Sequence, residues 1–275
     1  GFTALEKTTT GVYNVGVGSQ ALNANTTASN NNALGYNALL SNTTGAHNNA
    51  FGTLALDACT TGGSNVGIGS NAMGALTTAS NNVAIGYNAG GNATTALTDS
   101  VLVGYQAGSS GTQGTANVGI GYNALYTNTG DNNTGVGYNA LFANTSGTAN
   151  AAFGTFSLDA NTTGSSNTAF GYGTLTGCEA AEENTAVGRN AGLSITSGDN
   201  NVAIGARALD ATTSADGNTA VGKDALTDNT TGANNVAVGE NALANNTTAT
   251  ANTAVGQNAL LTNTTGANLV AVGHD

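Results

Sequence analysis

Short apolar tracts recur along the chain, and each one ends in a glycine. Asn82-Val83-Ala84-Ile85-Gly86, Asn133-Thr134-Gly135-Val136-Gly137 and Asn235-Val236-Ala237-Val238-Gly239 are typical. The glycines that follow a bulky apolar residue stand at Gly18, Gly35, Gly52, Gly69, Gly86, Gly104, Gly121, Gly137, Gly154, Gly171, Gly188, Gly205, Gly222, Gly239, Gly256 and Gly273. Neighbours are 17 residues apart, except for one interval of 18 (Gly86 to Gly104) and one of 16 (Gly121 to Gly137). The extra residue is expected within Ala96–Asp99. The missing one is expected at Asn128-Thr129-Gly130, which lacks the usual second threonine.

A fixed internal period decides architecture before any other signal. Seventeen residues are too few for a pair of helices. Val236-Ala237-Val238 alternates with the two-residue period of a strand, and β-branched residues dominate such tracts. The sequence therefore predicts an all-β fold. It is a β-solenoid, a β-roll or β-helix, of about sixteen 17-residue coils forming one domain over residues 1–275. Coils stacked at ~4.8 Å give a rod of roughly 75–80 Å. Gly1-Phe2-Thr3-Ala4-Leu5 starts at an anchor glycine and the chain ends just past another. A solenoid without polar caps leaves open edges, so a segment of a longer fibre is expected, or ends covered by neighbouring subunits.

Stacking turns each repeat position into a column. The residue before the anchor is apolar in every copy, from Val17, Leu34, Phe51, Ile68 and Ile85 to Val272, and is expected in the core. Leu22, Leu39, Leu56, Met73, Leu125, Leu141 and Leu158 form a second expected core column. The position two before the anchor is Ala or Gly everywhere except Leu102. If its neighbour points inward, this column points outward, and its small size implies a closely approaching backbone. That backbone is either the opposite wall of a flattened coil or a second chain, which would make the protein a homo-oligomer, with a trimer expected. Asn14, Asn31, Asn48, Asn65, Asn82, Asn117 and Asn133 recur four before the anchor and are expected to form an amide ladder. Cys59 and Cys178 are 119 residues apart, seven periods of 17, which places them roughly 33 Å apart. A disulfide needs Cα atoms within about 7 Å, so they cannot pair within one chain.

Composition then removes several classes of function. Pro and Trp are absent, Gly is 41 of 275 and the net charge is −11, with only Lys7, Arg189, Arg207 and Lys223 positive. No basic patch exists for a phosphate backbone, so nucleic acid is not an expected partner. No apolar run approaches the roughly 20 residues that span a bilayer, so membrane insertion is not expected.

Candidate chemistry is sparse. His47 and His274 have no ligand partners at metal-site spacing, and no cofactor is expected. Glu179, Glu182 and Glu183 cluster, and a solvated loop is favoured there over a weak calcium site. The G-x-G of Gly16-Val17-Gly18 lacks the helix a dinucleotide fingerprint requires. Two recurrent features remain. Tyr87, Tyr105, Tyr122 and Tyr138 follow successive anchors and form an expected surface ladder, either self-stacking or able to contact glycans or a neighbouring chain. Asn25, Asn42, Asn161, Asn229, Asn246 and Asn263 each open an Asn-Thr-Thr sequon, a glycosylation site or a turn whose side chains bond the backbone.

Asn82-Val83-Ala84-Ile85-Gly86-Tyr87-Asn88-Ala89 and Asn201-Val202-Ala203-Ile204-Gly205 resemble the head repeats of trimeric autotransporter adhesins. The longer pattern in Asn252-Thr253-Ala254-Val255-Gly256-Gln257-Asn258-Ala259-Leu260 resembles repeats of phage and virus tail-fibre proteins. The adhesin heads form a trimeric left-handed β-roll, and both resemblances imply an extracellular, cell-surface or virion fibre that presents a surface or spaces a tip domain. The expected function is thus a non-catalytic structural and adhesive fibre shaft that associates with copies of itself. Cell-surface glycans, met through the tyrosine column, are its other candidate partner. Two rivals stand beside that expectation. One is an ice-binding solenoid, suggested by the Thr pairs but lacking a T-x-T alternation. The other is a tailspike glycosidase, which needs two carboxylates on neighbouring coils.

Overall fold

The structure, a computed structural model, describes residues 1–274. The chain divides into two compact units, Gly1–Asn133 and Thr134–Asp275. The first unit carries strands β1 (Val15–Val17), β2 (Asn32–Leu34), β3 (Asn49–Phe51), β4 (Val66–Ile68), β5 (Val83–Ile85), β6 (Val101–Val103) and β7 (Val118–Ile120). The second carries β8 (Thr134–Val136), β9 (Ala151–Phe153), β10 (Thr168–Phe170), β11 (Thr185–Val187), β12 (Val202–Ile204), β13 (Thr219–Val221), β14 (Val236–Val238), β15 (Thr253–Val255) and β16 (Val270–Val272). Within each unit consecutive strands pair in parallel. Val66 lies beside Val83 in the first and Val202 beside Thr219 in the second, each one period on. Each unit is thus a β-solenoid with one strand per coil, and among the described residues there is no helix.

The anchor glycine is dictated by how closely coils approach. Gly171 has φ +140, and a β-carbon there would sit 2.6 Å from the Gly188 carbonyl oxygen of the next coil. No side chain fits. Beyond the anchor the backbone alternates between right- and left-handed conformations, so that Asn37, Leu39 and His47 of one coil all have positive φ. Placing Leu in that region costs about 1–2 kcal/mol. Burying it returns roughly 1.5–3 kcal/mol, and Leu39 is fully buried. The turn is bonded to both neighbours: Leu39 N–H donates to Ala55 O at 3.0 Å, and Asn37 N–H donates to Ser19 O at 3.0 Å.

The Leu column is core as expected, but the strand faces the other way. In β3 the middle residue Ala50 is fully buried, whereas Phe51 is 39% exposed. The same inversion holds through β2, β4 and β5, and in β9 and β12. The bulky column before the anchor therefore points outward, and the small column points in. The cause is the narrowness of the coil. A β-carbon on Gly67 would lie 3.2 Å from Leu56 Cγ and 3.4 Å from Ala72 O, so the Leu side chain already fills the space opposite the strand. The small residues thus face the opposite wall of their own coil, and they carry no argument for a second chain.

Leu102 shows the rule by breaking it. Gly90 and Gly108 replace Leu in the core column, and Leu102 swells into both gaps. Its Cδ1 lies 3.2 Å from where a β-carbon of Gly90 would be and 2.7 Å from that of Gly108. Leu97 adds a contact at Gly90 and Gln113 at Gly108. In the second unit Gly192 opens the same gap, and Ile195, 3.1 Å from a β-carbon there, closes it together with Leu175 of the preceding coil at 2.8 Å.

Two asparagine ladders run inside each unit. In the first, Asn48 N–H donates to Asn31 Oδ1 at 2.9 Å, and Asn48 Nδ2 donates to Gly62 O at 2.8 Å. Amide-to-amide bonds occur as well, as from Asn65 to Asn48 at 3.1 Å. The main partner of each amide is nevertheless backbone, which satisfies groups that the tight turns strip from regular pairing. The inserted residue is placed by the same bonds. Thr77 N–H donates to Thr94 O at 3.0 Å, still one period of 17, while Asn82 Nδ2 reaches Leu97 O where Ala79 would serve in the coil before. The insertion therefore lies at Thr95–Ala96, overlapping the start of the expected range. The deletion lies where expected: Asn128 Nδ2 donates to Gly130 O two residues on, rather than the usual three.

Candidate functional site

A three-residue strand has two outward positions, and both are free of charge in every copy. The first holds Val, Thr, Asn or Ala and the third Val, Ile, Leu or Phe. All 15 acidic and four basic residues of the chain lie elsewhere. Each unit consequently presents an uncharged apolar strip along its sheet. Leu34 and Ile68 in the first unit and Phe170 and Ile204 in the second are among its exposed members, Phe170 at 57%. Phe153 and Phe170 pack on successive coils with ring centroids 5.7 Å apart. Isolated apolar residues on a surface need no explanation, but contiguous rows do.

The strip escaped the sequence reading because alternation has two phases. A signal was nevertheless present in the column before the anchor, which varies freely from Val to Phe. A column confined in so narrow a coil is held to one size, as the Ala/Gly column is.

The tyrosine column flanks this strip. Tyr87 and Tyr105 stack at 5.3 Å with planes 16° apart, and Tyr105 and Tyr122 at 5.1 Å and 6°. Their backbones are held in register by Gln106 N–H to Tyr87 O at 2.9 Å and Asn123 N–H to Tyr105 O at 3.0 Å. Tyr138 belongs to the second unit, where it meets Phe156 edge-on at 5.4 Å, and Phe156 meets Tyr172 in the same way. Stacked rings cover one another's faces, so the first unit's ladder presents ring edges and phenol groups to solvent.

In the second unit the equivalent columns become charged. Arg207 grips Asp224 with two bonds, Nε to Oδ1 at 2.7 Å and Nη2 to Oδ2 at 2.8 Å. Lys223 bridges Asp224 at 3.1 Å and Glu240 at 3.2 Å. The Arg207 hydrogen bond holds the Asp224 carboxyl below its ordinary range, against a partial opposing effect of burial.

The sequon asparagines lie inside. Asn25, Asn42, Asn161, Asn229 and Asn246 are fully buried, and Asn263 is partly buried. Asn42 Nδ2 donates to Gly45 O at 2.9 Å and Asn229 Nδ2 to Gly232 O at 2.9 Å. In the folded coil these amides are turned inward and bonded to backbone carbonyls. Cys59 and Cys178 occupy the same ladder. Both are free and buried, and desolvation pushes their thiols up to about 11 and about 12.

The threonine pairs divide their work. Thr43 Oγ1 donates to Thr60 O at 3.1 Å, while Thr44 is exposed. An outward alternation does exist, as in Thr27-Ala28-Ser29 with Ala28 buried. Its serines are engaged, however: Val12 N–H donates to Ser29 Oγ and Gly63 N–H to Ser80 Oγ, each at 3.0 Å. In the second unit the same column turns acidic, with Glu182 N–H bonded to Asp199 Oδ1 and Asp199 N–H to Asp216 Oδ1. A continuous hydroxyl array is therefore interrupted.

Among the described residues no group of three or more His, Cys, Asp or Glu is placed to hold a metal ion, and no helix is long and apolar enough to cross a membrane. A depression of about 420 Å³ is lined by Asn258, Leu260, Leu261, Thr262 and Ala271, without an acid or base. No protein-family model and no curated protein matches the chain. The two resemblances drawn from its repeats rest on those motifs alone.

Proposed function

We propose that this chain is a non-catalytic structural and adhesive shaft of an extracellular, cell-surface or virion fibre, and that it associates with copies of itself through the apolar strip. The observation that carries the reading is the charge-free, exposed apolar face on a coil of fixed pitch. A chain of net charge −11 repels its own copies over most of its surface. The strip is where two copies approach without that repulsion, and a second copy repeats the same coil spacing and can match it rung for rung. Apolar burial then supplies roughly 25 cal/mol for each Å² removed from water. Glycans, as an adhesive partner, would meet the phenol edges of the tyrosine column rather than its ring faces.

Sedimentation of the whole chain tests the proposal. A discrete oligomer is expected, and the Ile204→Asp/Val238→Asp variant is expected to sediment as a monomer with an unchanged circular dichroism spectrum. A wild-type chain that stays monomeric across the accessible concentration range would overturn self-association.

A further inference from the structure

We propose that Tyr87, Tyr105 and Tyr122 are an oxidative cross-linking site, at which adjacent coils of the first unit become joined by dityrosine bonds. The case rests on geometry. One-electron oxidation of a phenol places radical density on the ring carbons ortho to the oxygen, and two such radicals couple only if their rings meet. Here they are already together, at 5.3 and 5.1 Å between centroids and within 16° and 6° of parallel. Strand pairing on either side, Val83 beside Val101 and Val101 beside Val118, fixes the backbones in register. Their backbones then lie at the ~4.8 Å coil spacing, close enough for an ortho–ortho bond after a small rotation of the side chains. All three are half-exposed, Tyr87 at 54% and the others at 44%, so an oxidant reaches them from solvent.

The oxidant is a peroxidase-type one-electron acceptor with hydrogen peroxide as the final electron sink. Each phenol gives up one electron and its phenolic proton. The two radicals form one carbon–carbon bond between ortho positions. The two hydrogens on those carbons leave as protons while both phenol oxygens are reprotonated, which restores aromaticity. Overall two hydrogens are lost and one peroxide becomes two waters. The product is a covalent staple between coil walls that hydrogen bonds and side-chain packing otherwise hold together.

The test is treatment of the whole chain with a peroxidase and limiting hydrogen peroxide, followed by cleavage before aspartates. That cleavage separates residues 57–98, whose single tyrosine is Tyr87, from residues 99–130, which hold Tyr105, Tyr122 and Tyr126. The expected result is dityrosine fluorescence in a product that still migrates as one chain, with 57–98 joined to 99–130. Tyr105→Phe keeps the stack but not the chemistry, and is expected to abolish that junction. The proposal is overturned if the two fragments remain separate, if they are joined equally in Tyr105→Phe, or if the junction forms only between chains. The expected junction forms within one chain whether or not copies associate, so its failure is distinguishable from failure of the self-association reading.

Discussion

The two units meet the same internal problem and solve it differently. In the first, the Leu column fails on two successive coils, at Gly90 and Gly108, and one residue of the facing strand, Leu102, grows into both gaps. In the second, the column fails once, at Gly192, and the repair comes from the asparagine ladder, where Ile195 replaces a buried amide. Outside, the contrast continues: stacked phenols occupy the column after the anchor in the first unit, and Lys223 and Glu240, with Arg207 and Asp224 one position on, form a charged cluster in the second. The lesson is that interior columns tolerate change only with a compensating change within contact distance. Exterior columns exchange chemistry freely as long as neighbouring coils match.

The largest expected effect breaks the first repair. Leu102→Ala empties space lining two coils and is expected to cost about 2–5 kcal/mol, as large-to-small core changes do. Gly108→Leu alone overpacks against Leu102, at about 1–3 kcal/mol. Together they restore the regular pattern on the Gly108 coil, whose φ of +59 matches the +55 of Leu125, and leave only the Gly90 gap unfilled. Urea unfolding of the two single variants and the double should therefore be strongly non-additive, and additivity would break the compensation argument. Ile195→Ala, which lines one gap instead of two, is expected at the lower end of the same range.

Smaller effects come from two carboxylates of the second unit with opposite signs. Burial pushes the Asp159 carboxyl above its ordinary range. Its contribution to stability is therefore full below the unfolded value, near pH 4, and is lost as pH rises through the folded value. Asp159→Asn should raise the urea midpoint at neutral pH, with the gain vanishing in acid. Asp224 is held below its ordinary range by Arg207. Its contribution is present above about pH 4 and is lost as pH falls through the folded value. Asp224→Asn should thus lower the midpoint at neutral pH and make no difference in strong acid. Matching pH profiles for the two variants would refute this assignment.

The smallest perturbation compares the units directly. Cys59 and Cys178 sit at the same position of the coil, one in each unit, both buried with thiols pushed far above neutral pH. Alkylation should be negligible in the native protein and follow local opening in mild urea. The cysteine modified first identifies the unit that opens first, while rapid labelling of both without denaturant would contradict their burial.

Much of the architecture was legible because a repeat converts distance along the chain into position in space. The 17-residue period specified the pairing of Val66 with Val83 and of Val202 with Thr219. The anchor glycines marked the period but not the reason no side chain fits there, and the recurring asparagines foretold an amide ladder but not its burial. The candidate site was only half legible. The tyrosines were visible as a column, but the apolar strip beside them was assigned to the core, and the sequon asparagines were open to the surface as far as the pattern could say.

What the amino-acid order determined by itself was therefore the period, the register and the identity of each column. Which columns face inward was decided by the tertiary structure. Val-Ala-Val alternates equally well in either phase, and local propensity does not distinguish them. The choice depends on the distance to the opposite wall, which is set by left-handed turn residues and by the Leu side chain that already fills the interior. Only Ala or Gly fits the remaining gap, so Val, Ile, Leu and Phe are turned out to solvent.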